Sequence, residues 1–313
     1  FRWVSILPPT LNAPASFWRR NREPVPMSDP KNTLAFQGAP GAYSDMACRG
    51  AYPEMTTLPN RSFEDTFDAV RTGKAALAMI PIENSVAGRV ADIHHLLPES
   101  NLHIIGEHFQ RVEHNLLAVK GTKIGDLTHV HSHVHALNQC RKVISELGLE
   151  ATVHVDTAAA ARDIAERGEK AHGSISSELA GEIYGLDSLR ANIEDAEHNT
   201  TRFLVMASDA GDFDPEHENL MTSFVFRVRN VPAALYKGLG GFATNGVNMT
   251  KLESYLVGGG FVAAQFYAEV EGHPEHHNLR LALEELDFFS HEVRVMGVYP
   301  AHPFRKSMNE NDS

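Results

Sequence analysis

Short apolar runs alternate with stretches of helical spacing from Leu34 to about residue 207, and this alternation sets the first expectation for the fold. Leu34-Ala35-Phe36 predicts a brief strand entering the turn Gly38-Ala39-Pro40-Gly41, after which 42–49 suits a helix. Ser62 followed by Asp65 is a capping signal, and Phe63, Phe67 and Val70 recur at helical spacing until Gly73. The run 75–82 is apolar throughout, as in a strand buried on both faces. The pattern continues with a helix over 86–97, strands near 102–107 and 115–119, and a helix over 134–147 ending at Gly148. A strand at 152–155, a helix over 157–167 and strands near 172–176 and 202–207 complete it. This order predicts an α/β fold of doubly wound, mostly parallel sheets, with ligands beyond the carboxyl ends of the strands.

The period changes after residue 209. Asp209, Asp212, Asp214, Glu216 and Glu218, with Gly211 and Pro215, read as a solvated linker. Beyond it, 222–228 suits a strand, 232–246 a helix, 249–256 and 261–270 a hairpin across Gly258-Gly259-Gly260, 277–286 a helix and 293–298 a last strand. The order β-α-β-β-α-β predicts a ferredoxin-like unit. The expected organisation is a disordered N-terminal extension at 1–33, a first domain of two lobes at 34–209, a linker at 210–221, a second domain at 222–304 and a tail at 305–313.

Composition narrows the function. The 313 residues are 42% hydrophobic and 22% charged, enough for about two domains at ~150 residues each. No run approaches the ~18 consecutive apolar residues of a membrane-spanning helix. Forty acidic residues against 28 basic ones give a formal charge of -12, which argues against a nucleic-acid surface. An anionic ligand would need a local cationic site. The first 26 residues carry Arg2, Arg19, Arg20 and Arg22 against Glu23, so they contribute +3 and leave -15 for the rest. Rich in proline and preceding Met27, they read as an upstream extension, with an Arg-rich targeting peptide as the alternative. Cys48 and Cys140, without a recognisable secretory signal, read as reduced thiols of a cytoplasmic protein.

Four polar clusters stand at strand ends or helix starts, where backbone N–H groups can hold a carboxylate. The glycine turn that includes Gly41 lacks a dinucleotide or phosphate-loop spacing. Glu83-Asn84-Ser85 follows a buried run, and Asn84 or Ser85 would also cap the next helix. His131, His133 and His135 alternate like metal ligands on a strand, but Leu137, Cys140, Ile144 and Leu147 keep helical spacing, so Ser132 or His133 reads as a helix cap. No further ligand stands at a metal-binding spacing, and no metal is expected. In the fourth cluster, Asn199-Thr200-Thr201-Arg202-Phe203, Arg202 opens an apolar run. Its planar fork would grip a ligand carboxylate, or else pair with Glu194 or Asp195. Cys140, within a helical pattern, reads as core rather than nucleophile.

At these clusters the chain resembles prephenate dehydratase, in the bacterial form whose catalytic domain precedes a regulatory ACT domain. The likeness covers about residues 34 to 304. The glycine turn, 81–88, 132–140, Thr157 and Thr201-Arg202-Phe203 follow one another as they do in that family. The resemblance implies a two-lobed catalytic domain like a periplasmic binding protein, followed by a ferredoxin-like ACT domain. It implies conversion of prephenate to phenylpyruvate with loss of carbon dioxide and water, driven by aromatisation and without a metal or redox cofactor. It assigns the donor to the leaving hydroxyl to Thr201, a grip on a substrate carboxylate to Arg202 and a bracing role to Phe203. Asn84, Ser132 and Gln139 match further catalytic positions, and Gly41, Glu83, Ser85, His133 and Thr157 substrate-binding ones.

For the second domain the resemblance implies phenylalanine as effector and pairing of subunits into a homo-oligomer, a dimer or tetramer. Its regulatory positions fall on Leu235, Asn245, Gly246, Val247, Asn248, Glu253 and Ser254. The sequence departs from the family there: Ala233-Ala234-Leu235 replaces Gly-Ala-Leu, and Glu253-Ser254-Tyr255-Leu256 replaces Glu-Ser-Arg-Pro. Two rival functions remain in view, an arogenate dehydratase and a non-catalytic sensor of small carboxylates or amino acids. Neither nucleic acid nor membrane is expected as a partner.

Overall fold

The computed structural model describes residues 29–196, 198–229, 231–256 and 264–311. Residues 1–28 of the expected extension and the turn at Gly258-Gly259-Gly260 lie outside the described residues. Asp29 caps a short 3-10 turn at Pro30–Asn32, so regular structure begins within the last residues assigned to that extension.

The first lobe is built from β1 (Thr33–Gln37), α1 (Tyr43–Ala51), β2 (Thr56–Asn60), α2 (Phe63–Arg71), β3 (Leu77–Asn84), β4 (Gly88–Arg89), α3 (Ala91–Glu99) and β5 (His103–Arg111). The chain then crosses to a second lobe of β6 (Asn115–Ala118), β7 (His129–His133), α4 (Val134–Gln139), α5 (Arg141–Glu146), β8 (Glu150–His154), α6 (Thr157–Arg167), β9 (His172–Ser176), α7 (Glu178–Tyr184) and β10 (Asp187–Arg190). It returns to the first lobe as β11 (Thr200–Ala207). The sheet orders are β2-β1-β3-β11-β5 and β10-β6-β9-β7-β8.

Both sheets are mixed rather than mostly parallel. β11 runs antiparallel between β3 and β5, and β6 runs antiparallel to β9 and β10. A strand buried on both faces is apolar whichever way it runs, so its composition carries no direction.

Two helices differ from their expected limits for local reasons. The helix expected over 86–97 starts at Ala91, because Asn84 Oδ1 accepts from the Val86 and Ala87 amides and Gly88, at φ 80°, turns the chain back as β4. The helix expected over 134–147 breaks at Cys140, where the Asp195 carboxylate accepts from the Arg141 and Lys142 amides and so caps a new helix. Other caps are as expected: Ser62 Oγ accepts from the Asp65 amide, opening α2.

After an irregular stretch over 208–219 come β12 (Leu220–Val228), α8 (Ala234–Thr244), β13 (Met249–Leu256), β14 (Ala264–Glu271), α9 (His277–Phe289), β15 (Ser290–Pro300) and α10 (Phe304–Asn311). The four strands form an antiparallel sheet in the order β13-β14-β12-β15, the ferredoxin-like arrangement. One face buries Phe224, Phe226, Phe266 and Ala268 against α8 and α9. The opposite face is not left to solvent. Val225, Tyr255, Tyr267, Met296 and Tyr299 join Ile104, Leu204 and Met206 of the first lobe in a single core. At Gly297 the approach is so close that a Cβ would lie 2.0 Å from the Ile104 carbonyl oxygen.

A buried ion cluster locks this contact. Arg202 on β11, 3% exposed, donates from Nε to Glu107 Oε2 at 2.7 Å, from Nη1 to Glu83 Oε1 at 2.9 Å and from Nη2 to Glu269 Oε1 at 2.9 Å. Arg305 of α10, within the stretch expected to be a tail, donates to both Glu107 oxygens and to Glu269 Oε2 at 3.0 Å. Lys251 pairs with Glu83 and Glu253, and Tyr267 donates to Glu269 Oε1 at 2.6 Å. Burial opposes the charge of Glu269, but Arg202 and then Arg305 outweigh it and hold the carboxyl down at about 2.

A depressed carboxyl stabilises the fold above its ordinary value of 4.5, and that contribution disappears as pH falls through about 2. Glu269→Ala strands two guanidinium groups and is expected to destabilise the chain by about 3–5 kcal/mol at neutral pH, with the deficit shrinking in acid. Denaturant unfolding over a pH series measures both, and a wild-type midpoint in the variant would contradict the assignment.

Candidate functional site

A cleft of about 570 Å³ opens between the two lobes. It lies at the carboxyl ends of β1, β3, β7 and β8, where Gln37, Asn84, His133 and Val155 line it. Asn84 and Thr201 are register partners on β3 and β11, and Asn84 Nδ2 donates to Thr201 Oγ1 at 3.0 Å and to Asn199 Oδ1 at 2.8 Å. Asn199 Nδ2 donates in turn to Gln139 Oε1 at 3.0 Å. The same oxygen lies 2.8 Å from His114 Nε2, and His114 Nδ1 lies 2.8 Å from the Tyr43 hydroxyl. With Gln139 Oε1 as acceptor, the His114 proton sits on Nε2, and the single Tyr43 hydroxyl hydrogen is shared between His114 Nδ1 and the Glu113 carbonyl, each at 2.8 Å. One chain of neutral hydrogen bonds thus runs from Tyr43 to Thr201 across both lobes.

The protonation states follow from burial. It pushes His114 below the ordinary histidine value, against the pull of Gln139 and Glu194. Burial and the neighbouring His135 lower His133. Burial pushes the Tyr43 hydroxyl well above its ordinary value, so it keeps its proton at neutral pH. Thr201 Oγ1 is already an acceptor for Asn84, and its own hydrogen has no acceptor among the described residues. That hydroxyl stands at the cleft.

Of the residues expected to form the site, Thr201, Asn84, Gln139, His133 and Thr157 line this cleft. His133 also caps α4, accepting from the His135 amide at 3.4 Å. Thr157 opens α6, whose first amides donate to the Asp156 carboxylate; Asp156 also accepts from Ala39, tying the glycine turn to the second lobe.

The others stand elsewhere. Arg202 does not reach out for a ligand carboxylate, nor does it pair with Glu194 or Asp195; its donors go to Glu83, Glu107, Glu269 and Tyr299 on the far side of the sheet. Alternation along β11 requires this, since neighbouring residues point to opposite faces. Glu83 pairs with Arg202 and Lys251, and with Ser85 it lines a separate cavity of about 330 Å³ against the C-terminal unit. Ser132 is fully buried and donates to the Ile175 carbonyl at 2.6 Å, so it serves the second sheet rather than the cleft. Phe203 packs in a core with Leu34, Phe36 and Met79, bracing the strand from behind. Gly41, at φ 87°, presses on α7, where a Cβ would lie 2.7 Å from Ala180 Cα; it joins the lobes and does not line the cleft.

The positions expected to be regulatory follow one another along the C-terminal unit. Leu235 packs in the core beneath α8, and Asn245 to Asn248 form the turn into β13, with Gly246 at φ 65°. Glu253 and Ser254 lie on β13, where Glu253 pairs with Lys251 and the Ser254 carbonyl accepts from Arg89.

Sequence reasoning missed His114, Glu107, Glu269, Lys251 and Arg305. His114 is an isolated histidine in a crossover, and its partners are 25 and 71 residues away. Glu269 alternates with apolar residues along β14 and Glu107 stands between Gly106 and His108 on β5, patterns that point to solvent unless a second layer covers that face.

A family model for prephenate dehydratase matches residues 34–211. The chain is 54% identical over 273 residues to a bifunctional N-acyl-homoserine lactone acylase/prephenate dehydratase of Komagataeibacter europaeus, covering 87% of this chain and 97% of that protein. It is 35% identical over 314 residues to arogenate dehydratase/prephenate dehydratase 1 of Arabidopsis thaliana, covering 96% and 78%. Among solved structures, a prephenate dehydratase of Arthrobacter aurescens in complex with L-Phe superposes with a TM-score of 0.78 at 26% identity, over 90% of this chain and 98% of that one. A quorum-quenching acylase, GqqA, superposes with a TM-score of 0.82 at 53% identity, over 87% and 99%. With a family model matched over more than half of its length and a 54% identical relative aligned nearly end to end, the chain belongs to the prephenate dehydratase family.

Proposed function

We propose that the chain is a prephenate dehydratase that converts prephenate to phenylpyruvate, carbon dioxide and water, and that phenylalanine restrains it through the C-terminal unit, an ACT domain. The observation that carries the reading is the Thr201 hydroxyl, oriented by Asn84 and left with a free hydrogen at the cleft. As the ring C–O bond breaks, charge grows on the departing oxygen, and a donor held in place gains strength with it. A threonine is too weak an acid for full transfer at neutral pH, so it acts as an oriented hydrogen-bond donor, and the oxygen that leaves as hydroxide takes its proton from solvent to become water. The ring carboxylate leaves as carbon dioxide, and its electron pair completes the aromatic ring. The Thr201 hydroxyl and the Asn84 and Gln139 amides suit this step, since a carboxylate stripped of water loses carbon dioxide more readily, and Arg89, also in the lining, offers a cation for a substrate carboxylate. Gln139 and His114 keep Asn199, and through it Asn84, in register with Thr201. Such a biosynthetic role fits the cytoplasm and a homo-oligomer.

The Komagataeibacter relative, named for an acylase as well as a dehydratase, favours testing a second activity on an N-acyl-homoserine lactone. Purified protein incubated separately with prephenate, arogenate and that lactone is expected to form phenylpyruvate from prephenate; no turnover of either cyclohexadiene would refute the dehydratase reading.

Thr201→Ala is expected to keep the fold and lose ~10²–10⁴ in kcat. Near-wild-type turnover would remove Thr201 from the mechanism. Because His114 and His133 are held below 6.5, the wild-type kcat is expected to stay level as pH falls past that value; a fall centred at 6.5 would contradict it. Added phenylalanine is expected to lower turnover, and a flat response up to millimolar concentration would exclude feedback.

A further inference from the structure

Two strand pairs meet face to face behind the cleft. On the first lobe, Glu83 of β3 is the register partner of Arg202 of β11. On the C-terminal unit, Lys251 of β13 is the register partner of Glu269 of β14. The two pairs stack so that Lys251 meets Glu83 and Glu269 meets Arg202, a square of alternating charge. One residue along each first-lobe strand, Asn84 and Thr201 are partners in the next rung. By the period of a strand they point to the opposite face, into the cleft. The square therefore grips, from the rear, the same two backbones that present the donor pair. A second tie reinforces the grip: Arg89, the register partner of Glu83 on β4, donates from Nη1 to the Ser254 carbonyl of β13 at 3.2 Å.

We propose that Lys251 is a positioning residue for the reaction, acting through Glu83 on the Asn84–Thr201 pair. The C-terminal unit is then part of the machinery that sets the cleft. Lys251 lies three residues beyond Asn248, so β13 links the turn expected to hold the effector to the back of the donor pair. A displacement of that turn reaches Glu83 through one side chain. The proposal rests on the dehydratase reading for its kinetic readout, but the same coupling has a readout that needs no substrate.

Lys251→Met keeps the aliphatic stem and removes the charge at a rim position, 11% exposed. It is expected to lower kcat by on the order of 10- to 100-fold, the scale of a small misplacement, with KM little changed. Lys251→Arg is expected to restore most of the rate, and Lys251→Met added to Thr201→Ala is expected to cost nothing further. The ring-nitrogen NMR resonances of His114, which report the network joining Gln139, Asn199 and Asn84, are expected to move in Lys251→Met while thermal unfolding shifts by only a few degrees. Wild-type kcat in Lys251→Met, or a loss confined to KM, would overturn the proposal. If the wild-type protein turns over neither prephenate nor arogenate, the dehydratase reading fails instead, and unchanged His114 resonances would then overturn the coupling by themselves.

Discussion

A guanidinium taken out of water must keep its donors paired, and Arg202 meets that demand only when three separate parts of the chain come together. Glu83 and Glu107 arrive from the first lobe and Glu269 from the C-terminal sheet, while Arg305 of the last helix balances the charge that Glu107 and Glu269 add. Removing any one partner leaves a buried charge uncompensated, at a cost of several kcal/mol. The docking of the ferredoxin-like unit is thus a condition on the first lobe's own strands. An apolar contact alone could slide; a buried ion cluster with fixed forks cannot, because each half-ångström of slip stretches several charge-assisted hydrogen bonds together. The Tyr255, Tyr267 and Tyr299 packing supplies area, and the cluster supplies register.

This arrangement changes how the cleft must treat an anionic substrate. The expected source of positive charge is neutralised by its own carboxylates and faces away. What remains at the cleft is a set of dipoles, the Thr201 hydroxyl, the Asn84 and Gln139 amides, a neutral His114 and the strand and helix ends around Thr157, beside the charged side chains of Arg89 and Asp156. In the reaction proposed for the chain, dipoles that are already oriented need not reorganise as charge moves from the ring carboxylate toward the departing oxygen. A chain carrying -12 overall thus has Arg89 rather than Arg202 as a cation at its cleft, and the dipoles beside it must be held still. The hydrogen-bonded chain from Tyr43 to Thr201 has that role.

Much of the fold was legible because its determinants are local. The apolar run into Asn84, the helix over 157–167 behind Asp156 and the βαββαβ order all follow from period and capping within a few residues. What was not legible depends on distant partners. The break at Cys140 is imposed by Asp195, and β2, with the sequence Thr-Thr-Leu-Pro-Asn, shows its character only through pairing with β1. The antiparallel course of β11 follows from the return crossing out of the second lobe, which no window of sequence contains. The same division runs through the site. Asn84, Gln139 and Thr201 stand out as polar residues at the ends of apolar or periodic segments. Glu107 and Glu269 look like ordinary solvent-facing members of alternating strands until another layer is known to cover them.

The adjacent pair Thr201-Arg202 condenses the difference between naming a residue and assigning its work. Side chains at consecutive strand positions point to opposite faces, so a threonine in the cleft and an arginine in the same cleft could be neighbours only across a bulge. The register between β11 and β3 does shift, but the extra residue is Ile82 of β3, between the partners of Arg202 and Phe203, so the alternation from Thr201 to Arg202 is unbroken. The pair must then serve two surfaces at once, Thr201 toward the cleft and Arg202 toward the C-terminal unit. A motif of this kind ties the cleft to the domain behind it through a single peptide bond, which is the shortest connection a strand can offer between its two faces.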